Sequence, residues 1–280
     1  MSSENKFVNQ HSIASYFART HLRNGILLGG NEQQFLAHAD LKLAQLEQER
    51  SRVLPKQLAS IVQSCWRVSG DEFLGFSEQK VKTGMFSLLA ERLINCRTLE
   101  EVFTHTAAFY NITGDQLRFT FDRQSTQVSI RLNVNFKPKS QHCSPNSLLN
   151  ELLLLVCHRF SSWLVGQLIP LIRVEMQHVK PAHHEEYRLM YPPCSYENDN
   201  SALLFDATYL NLPVVRDKEE LAEYLKQLPL QWFKKQSYYD TYSAKVMRLL
   251  ESAALDNESN LEVIAAKLNM TSRTLRRKLI

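Results

Sequence analysis

The residues best suited to chemistry lie at the end of the chain. Thr271, Ser272, Arg273, Arg276 and Arg277 are spaced so that a threonine opens a helix and the arginines follow on its outward side. An arginine fork can donate two parallel hydrogen bonds to a guanine edge in the DNA major groove, and small hydroxyl side chains at a helix start can reach phosphate. The chain carries no acidic residue after Glu262, whereas Lys267, Arg273, Arg276, Arg277 and Lys278 are basic. A polyanion would be drawn to this stretch. A basic helix face that merely meets solvent has the same composition, so the decision rests on the spacing upstream.

That spacing is specific. Ala265 is small enough to let two helices cross closely, Asn269 four residues later suits a left-handed turn, and Leu275 can lock the second helix down. Ser259 followed by Glu262 has the form of a capping box starting a short helix, Asn260 to Leu268. Val246, Leu249 and Leu250 supply the apolar face of a supporting helix. The pattern is a helix-turn-helix, with Thr271 as N-cap of the DNA-reading helix.

Other chemistry is sparsely represented. Cys65, Cys96, Cys143, Cys157 and Cys194 are odd in number, scattered and without a C-x-x-C pair, which suits reduced packing thiols. His178, His183 and His184 invite a metal reading but have no convincing partner ligands, so no metal site is expected. No G-x-S-x-G, P-loop, G-x-G-x-x-G or H-E-x-x-H occurs, so neither an enzyme nor a cofactor is expected. Arg118, Arg131, Arg173 and Glu175 fall in expected strands and could meet a polar ligand, but charges alternating with apolar residues ordinarily face solvent.

The elements behind these residues divide the chain. Its 280 residues, 44% hydrophobic, suit roughly two domains. The longest apolar run, Leu152 to Cys157, is too short for a membrane helix, and the polar N-terminus has no leader pattern, so a cytoplasmic location is expected. The net charge of +4 does not announce a nucleic-acid binder by itself. Residues 1–20 read as a tail that Ile13, Tyr16 and Phe17 could anchor through a short helix. Residues 21–213 read as an α+β domain in which helices cover an antiparallel sheet. Its helices are expected over 34–50, after Pro55, around Met85 to Leu93, around Leu99 to Ala107 and along Leu148 to Phe160. Period-two alternation at Leu117, Phe119 and Phe121 and again from Val128 to Val134 marks a hairpin, with further strands at 171–178 and 202–205. Residues 214–241, with a short helix at 218–228, read as a linker, and 242–280 as an all-α helix-turn-helix segment.

The run Leu261 to Leu279, including Ile264-Ala265-Ala266, Asn269-Met270-Thr271 and Leu275-Arg276-Arg277, resembles the first helix-turn-helix of AraC/XylS transcription regulators. Gly70-Asp71, Leu74-Gly75, Gly84-Met85-Phe86 and Cys96-Arg97-Thr98-Leu99-Glu100-Glu101 are similar, in order, to the effector domain of the family's arabinose-binding branch. Leu204-Phe205-Asp206, Tyr209-Leu210 and Leu212-Pro213 continue the likeness. The resemblance implies a homodimer that senses a small-molecule effector, binds promoter DNA through Arg273, Arg276 and Arg277, and works with RNA polymerase. It also implies a second helix-turn-helix, and the sequence ends at Ile280, at the close of the first. The alternative expectation is therefore a truncated ligand-binding and dimerisation module without DNA binding of its own.

Overall fold

The computed structural model describes residues 12–48, 50–115, 117–134, 145–181, 184–186, 194–234, 246, 249, 260–268 and 270–279. A two-residue strand, β1 (Ile13–Ala14), pairs with β2 (Arg52–Val53) and leads into α1 (Ser15–Leu27). Phe17, Ala18, His21, Leu22 and Gly25 recur at helical spacing and are buried, so from Ile13 onward this stretch is core and not tail. The helix expected over 34–50 is two helices, α2 (Glu32–Ala39) and α3 (Leu43–Glu47). Asp40 adopts the left-handed conformation, with φ 50° and ψ 52°, and stops α2. A Cβ on Gly25 would collide with the Phe35 ring, so the glycine is what lets α2 seat against α1.

Pro55 opens α4 (Pro55–Ser69), where its missing N–H costs nothing, and Gln57 Oε1 accepts the Leu54 N–H at 2.9 Å. Leu58, Ile61, Val62 and Cys65 bury one face, and Gly70, at φ 60°, ends the helix. After a loop come α5 (Met85–Leu93) and α6 (Leu99–Thr113), the latter capped by Thr98, whose hydroxyl accepts the Glu101 N–H.

The hairpin β3 (Leu117–Arg123) and β4 (Gln127–Val134) is in the register that period two demands, with Phe119 opposite Leu132 and Phe121 opposite Ile130. Next come α7 (Pro145–Leu164), β5 (Leu171–Glu175), β6 (Cys194–Ser195) and β7 (Ser201–Asp206). The five strands run β3-β4-β7-β5-β6 and pair antiparallel, apart from a two-residue parallel pairing of β5 with β6 at the edge. Phe103 of α6 packs on Phe121 and Phe205, with ring centroids 5.8 and 5.7 Å away, so α6 covers one sheet face.

The linker expected over 214–241 does not behave as one through residue 234. The capping box of Asp217 and Glu220 starts α8 (Lys218–Lys226), and α9 (Leu230–Phe233) follows. Leu221, Tyr224, Trp232 and Phe233 join the same core. Trp232 stands edge-on to Trp66 and Phe86 at 5.6 and 5.4 Å. Gln63 Nε2 donates to the Leu228 carbonyl, and Arg159 of α7 donates to that of Lys234 at 2.6 Å. Four apolar anchors in a polar stretch suffice because each is large. Among the described residues no helix is long and apolar enough to cross a membrane.

Candidate nucleic-acid interface and ligand cavity

The C-terminal elements form a second, smaller core. Asn260 caps α10 (Leu261–Lys267), its Oδ1 accepting the Val263 N–H at 2.9 Å. The cap is thus one residue later than the Ser259 box would place it, and Ser259 lies outside the described residues. Both residue types can cap; Asn260 has the extended backbone the position needs. Thr271 caps α11 (Ser272–Leu279): its Oγ1 accepts the Thr274 N–H at 3.2 Å and its carbonyl the Leu275 N–H at 2.9 Å. Ala265 and Leu275 are 1% and 0% exposed, so close approach and locking fall to the two residues that the spacing assigned to them. Ile264 completes the buried set, with Val246, Leu249, Leu261, Leu268, Met270 and Leu279 around it. Asn269 and Leu250 lie outside the described residues.

On α11, Arg273 and Arg276 are exposed, Ser272 is half-buried, and Thr271 is exposed at the helix start. Arg277 is helical; its side chain lies outside the description. A helix held from below by Leu275, with two free guanidinium groups outward, can present them to an anionic surface without moving its backbone.

The first core holds a different kind of site. Asp71, fully buried, accepts N–H bonds from Phe73, Val81 and Gly75, all at 2.9 Å. Leu74 and Gly75 take positive φ inside that loop. Glu72 reaches the start of α5, accepting from Gly84 at 2.7 Å and Phe86 at 2.9 Å. Burial raises its pKa, against the pull of these backbone bonds, and the neighbouring Asp71 adds to the rise. The Gly70-Asp71, Leu74-Gly75 and Gly84-Met85-Phe86 pieces quoted for the resemblance are therefore one clasp that sets the position of α5.

Behind the clasp, α5, α6, the β3–β4 hairpin and α7 enclose a cavity of about 50 Å³. Its lining is apolar apart from Thr106, Tyr110, Cys157 and Ser161. Thr106 donates to the Val102 carbonyl of its own helix at 2.7 Å. Among the described residues the Tyr110 and Ser161 hydroxyls make no hydrogen bond. Burial raises the pKa of Tyr110, and the nearby Glu72 and Cys157 add to it; burial pushes the Cys157 thiol up to about 12, so both stay protonated. Sequence reasoning misses this cavity because its walls are the same leucines and phenylalanines that fill any core.

The remaining candidates are placed elsewhere. His178 Nε2 is 3.2 Å from Glu151 Oε1; burial works against its charge, but the bond to Glu151, the Val179 carbonyl and the Glu151 charge together raise its pKa. His184 bonds the Pro181 carbonyl and pairs with Glu185, and His183 lies outside the described residues. Among the described residues no three potential ligands gather for a metal ion. Arg131 pairs with Asp122 and Arg173 with Glu175, and neither these residues nor Arg118 lines the cavity. Among the described residues Cys65, Cys96, Cys157 and Cys194 form no disulfide, and Cys143 is outside the description.

A helix-on-sheet domain with an internal cavity, together with a helix-turn-helix, is the make-up of a one-chain transcription regulator. The family defined as the arabinose-binding domain of AraC transcription regulators, N-terminal, matches residues 29–214, well over half of the chain. The chain belongs to that family: it is an AraC-type transcription regulator with an effector-binding domain. The crystal structure of transcriptional regulator CdpR from Pseudomonas aeruginosa is similar at 16% identity and a TM-score of 0.40, over 94% of this chain and 78% of that one. No curated protein sequence matches.

Proposed function

We propose that the protein is an effector-controlled DNA-binding regulator. In this reading residues 21–213, extended by the packed segment to Phe233, form the sensing and dimerisation domain, and 242–280 the DNA-reading segment. Thr271 and Ser272 approach phosphate, while Arg273, Arg276 and Arg277 approach base edges. The observation that carries the reading is α11 itself, capped by Thr271, anchored by the fully buried Leu275 and exposing Arg273 and Arg276. A homodimer on promoter DNA, acting on RNA polymerase in response to a small-molecule effector, completes the proposal.

Fluorescence anisotropy on DNA from upstream of the protein's own gene, across a salt series, tests it. The wild-type chain is expected to bind specifically. Arg273→Ala and Arg276→Ala are each expected to lose about 1–3 kcal/mol on the specific site if they read bases. A loss equal on all sequences, with a salt slope lower by roughly one, would reassign the residue to phosphate. Absence of binding at low salt would favour the sensing module without DNA binding of its own.

A further inference from the structure

The family takes its name from arabinose binding, and the cavity in this chain is not built for a sugar. We infer that the cavity between α5, α6, the hairpin and α7 binds a neutral, mainly apolar small molecule of about one ring, bearing a single hydrogen-bonding oxygen. The inference deepens the effector-control reading above and rests on it for the ligand's regulatory role, though not for binding.

The lining carries the argument. Phe86, Leu89, Phe103, Phe119, Leu132 and Phe160 present hydrocarbon on every side. A pentose has a hydroxyl on nearly every carbon, and each would lose its water on entry and need a replacement partner. Polar capacity here is small: the Thr106 proton is already spent on Val102, the Cys157 thiol is a weak donor, and Ser161 and Tyr110 are left. Tyr110 is the sharper signal. The residue is about nine-tenths buried and lines the cavity, and its hydroxyl donates to no group among the described residues. A donor turned toward an apolar void is poorly satisfied, and a ligand oxygen would give it a partner.

Charge narrows the class further. Glu72 lies close enough to Tyr110 to act on its ionisation, so a ligand carboxylate beside the phenol would be repelled, and in this apolar setting it would also be poorly solvated. Size limits it as well. The 50 Å³ void is far below the roughly 300–1,000 Å³ of pockets for drug-sized ligands. Leu153, Val156, Cys157 and Phe160 form one face of α7, so accommodating a ring would require that helix to move outward.

The test is ligand-observed NMR on the full chain with cyclohexanone, toluene, hexanoate and L-arabinose. Cyclohexanone is expected to bind, toluene more weakly, and arabinose and hexanoate not at all at millimolar concentration. Tyr110→Phe keeps the ring and removes the donor; it should weaken cyclohexanone about five- to tenfold and leave toluene within about twofold. Val156→Ile adds a methylene to the wall and should weaken both. Tighter binding of arabinose or hexanoate than of cyclohexanone, silence of all four probes, or equal effects of Tyr110→Phe on ketone and hydrocarbon would overturn the inference. Anisotropy on the protein's own upstream DNA with and without cyclohexanone separates the two readings. Binding that leaves DNA affinity unchanged supports the cavity's ligand class and counts against effector control.

Discussion

The two cores differ in what they tolerate. The first spans Phe17 to Phe233 and encloses a void, a fully buried aspartate and two buried histidines. The second has three buried residues among those described, Ile264, Ala265 and Leu275. A large core can carry unfavourable features because many apolar contacts offset them; a small one depends on each residue it has. The proposed sensing therefore sits in the larger core, which contains a void, and the proposed DNA-reading face sits on a unit held by few buried residues among those described.

Acid should separate the cores most strongly. Burial lowers His21 and His158 to about 4 from the usual 6.5, and no histidine follows His184 in the chain. Their folded pKa values are depressed, so their stabilising share is fully present above pH 6.5 and is lost as pH falls through about 4. Each is worth on the order of 3 kcal/mol across that window. His178, raised by Glu151, works in the opposite sense and offsets part of the loss. Thermal melts followed by tryptophan fluorescence, which reports the first core through Trp66, Trp163 and Trp232, should fall steeply between pH 6.5 and 4. A flat profile would mean that the histidines are hydrated.

Leu275→Ala tests the other side of the comparison. Removing the buried leucine should cost about 2–5 kcal/mol, enough to melt a unit of this size. Hydrogen exchange should then rise across 260–279 while the tryptophan transition stays in place. A matching drop in both transitions would show one cooperative unit. Thr271→Ala is expected to cost about 1 kcal/mol by removing the N-cap, with faster exchange confined to the first turn of α11. The smallest effect is expected from Val156→Ile, which fills part of the void and should stabilise the first core by up to about 0.8 kcal/mol. Destabilisation would show that the wall is rigid and the added methylene strained.

How much of this was legible depended on what kind of signal each feature leaves. The hairpin, α4, α7 and the α10–α11 turn all announce themselves through periodicity or spacing, because each has one clear apolar face. Asp40 leaves no such mark: an aspartate in the left-handed region breaks α2 from α3 where a glycine would have been noticed. The segment after Pro213 reads as connector because its anchors, Leu221, Tyr224, Trp232 and Phe233, are sparse, and only the fold shows that they reach one aromatic cluster. The cavity is illegible for a deeper reason. A void is an absence of atoms between residues distant in sequence, and nothing in the types of Phe86, Leu132 or Val156 distinguishes a wall from a filled core. The arginines of α11 were legible as a group, while the proposed contact with DNA is a property of a complex and not of the chain.

One helix joins the features of the first core to the way out of it. Val156, Cys157 and Phe160 of α7 face the void, and Arg159, between them in sequence, grips the Lys234 carbonyl at 2.6 Å. In mechanical terms α7 is a lever, loaded on one face and tethered on the other. The wall of the cavity and the anchor of residue 234 are thus two faces of a single rigid rod.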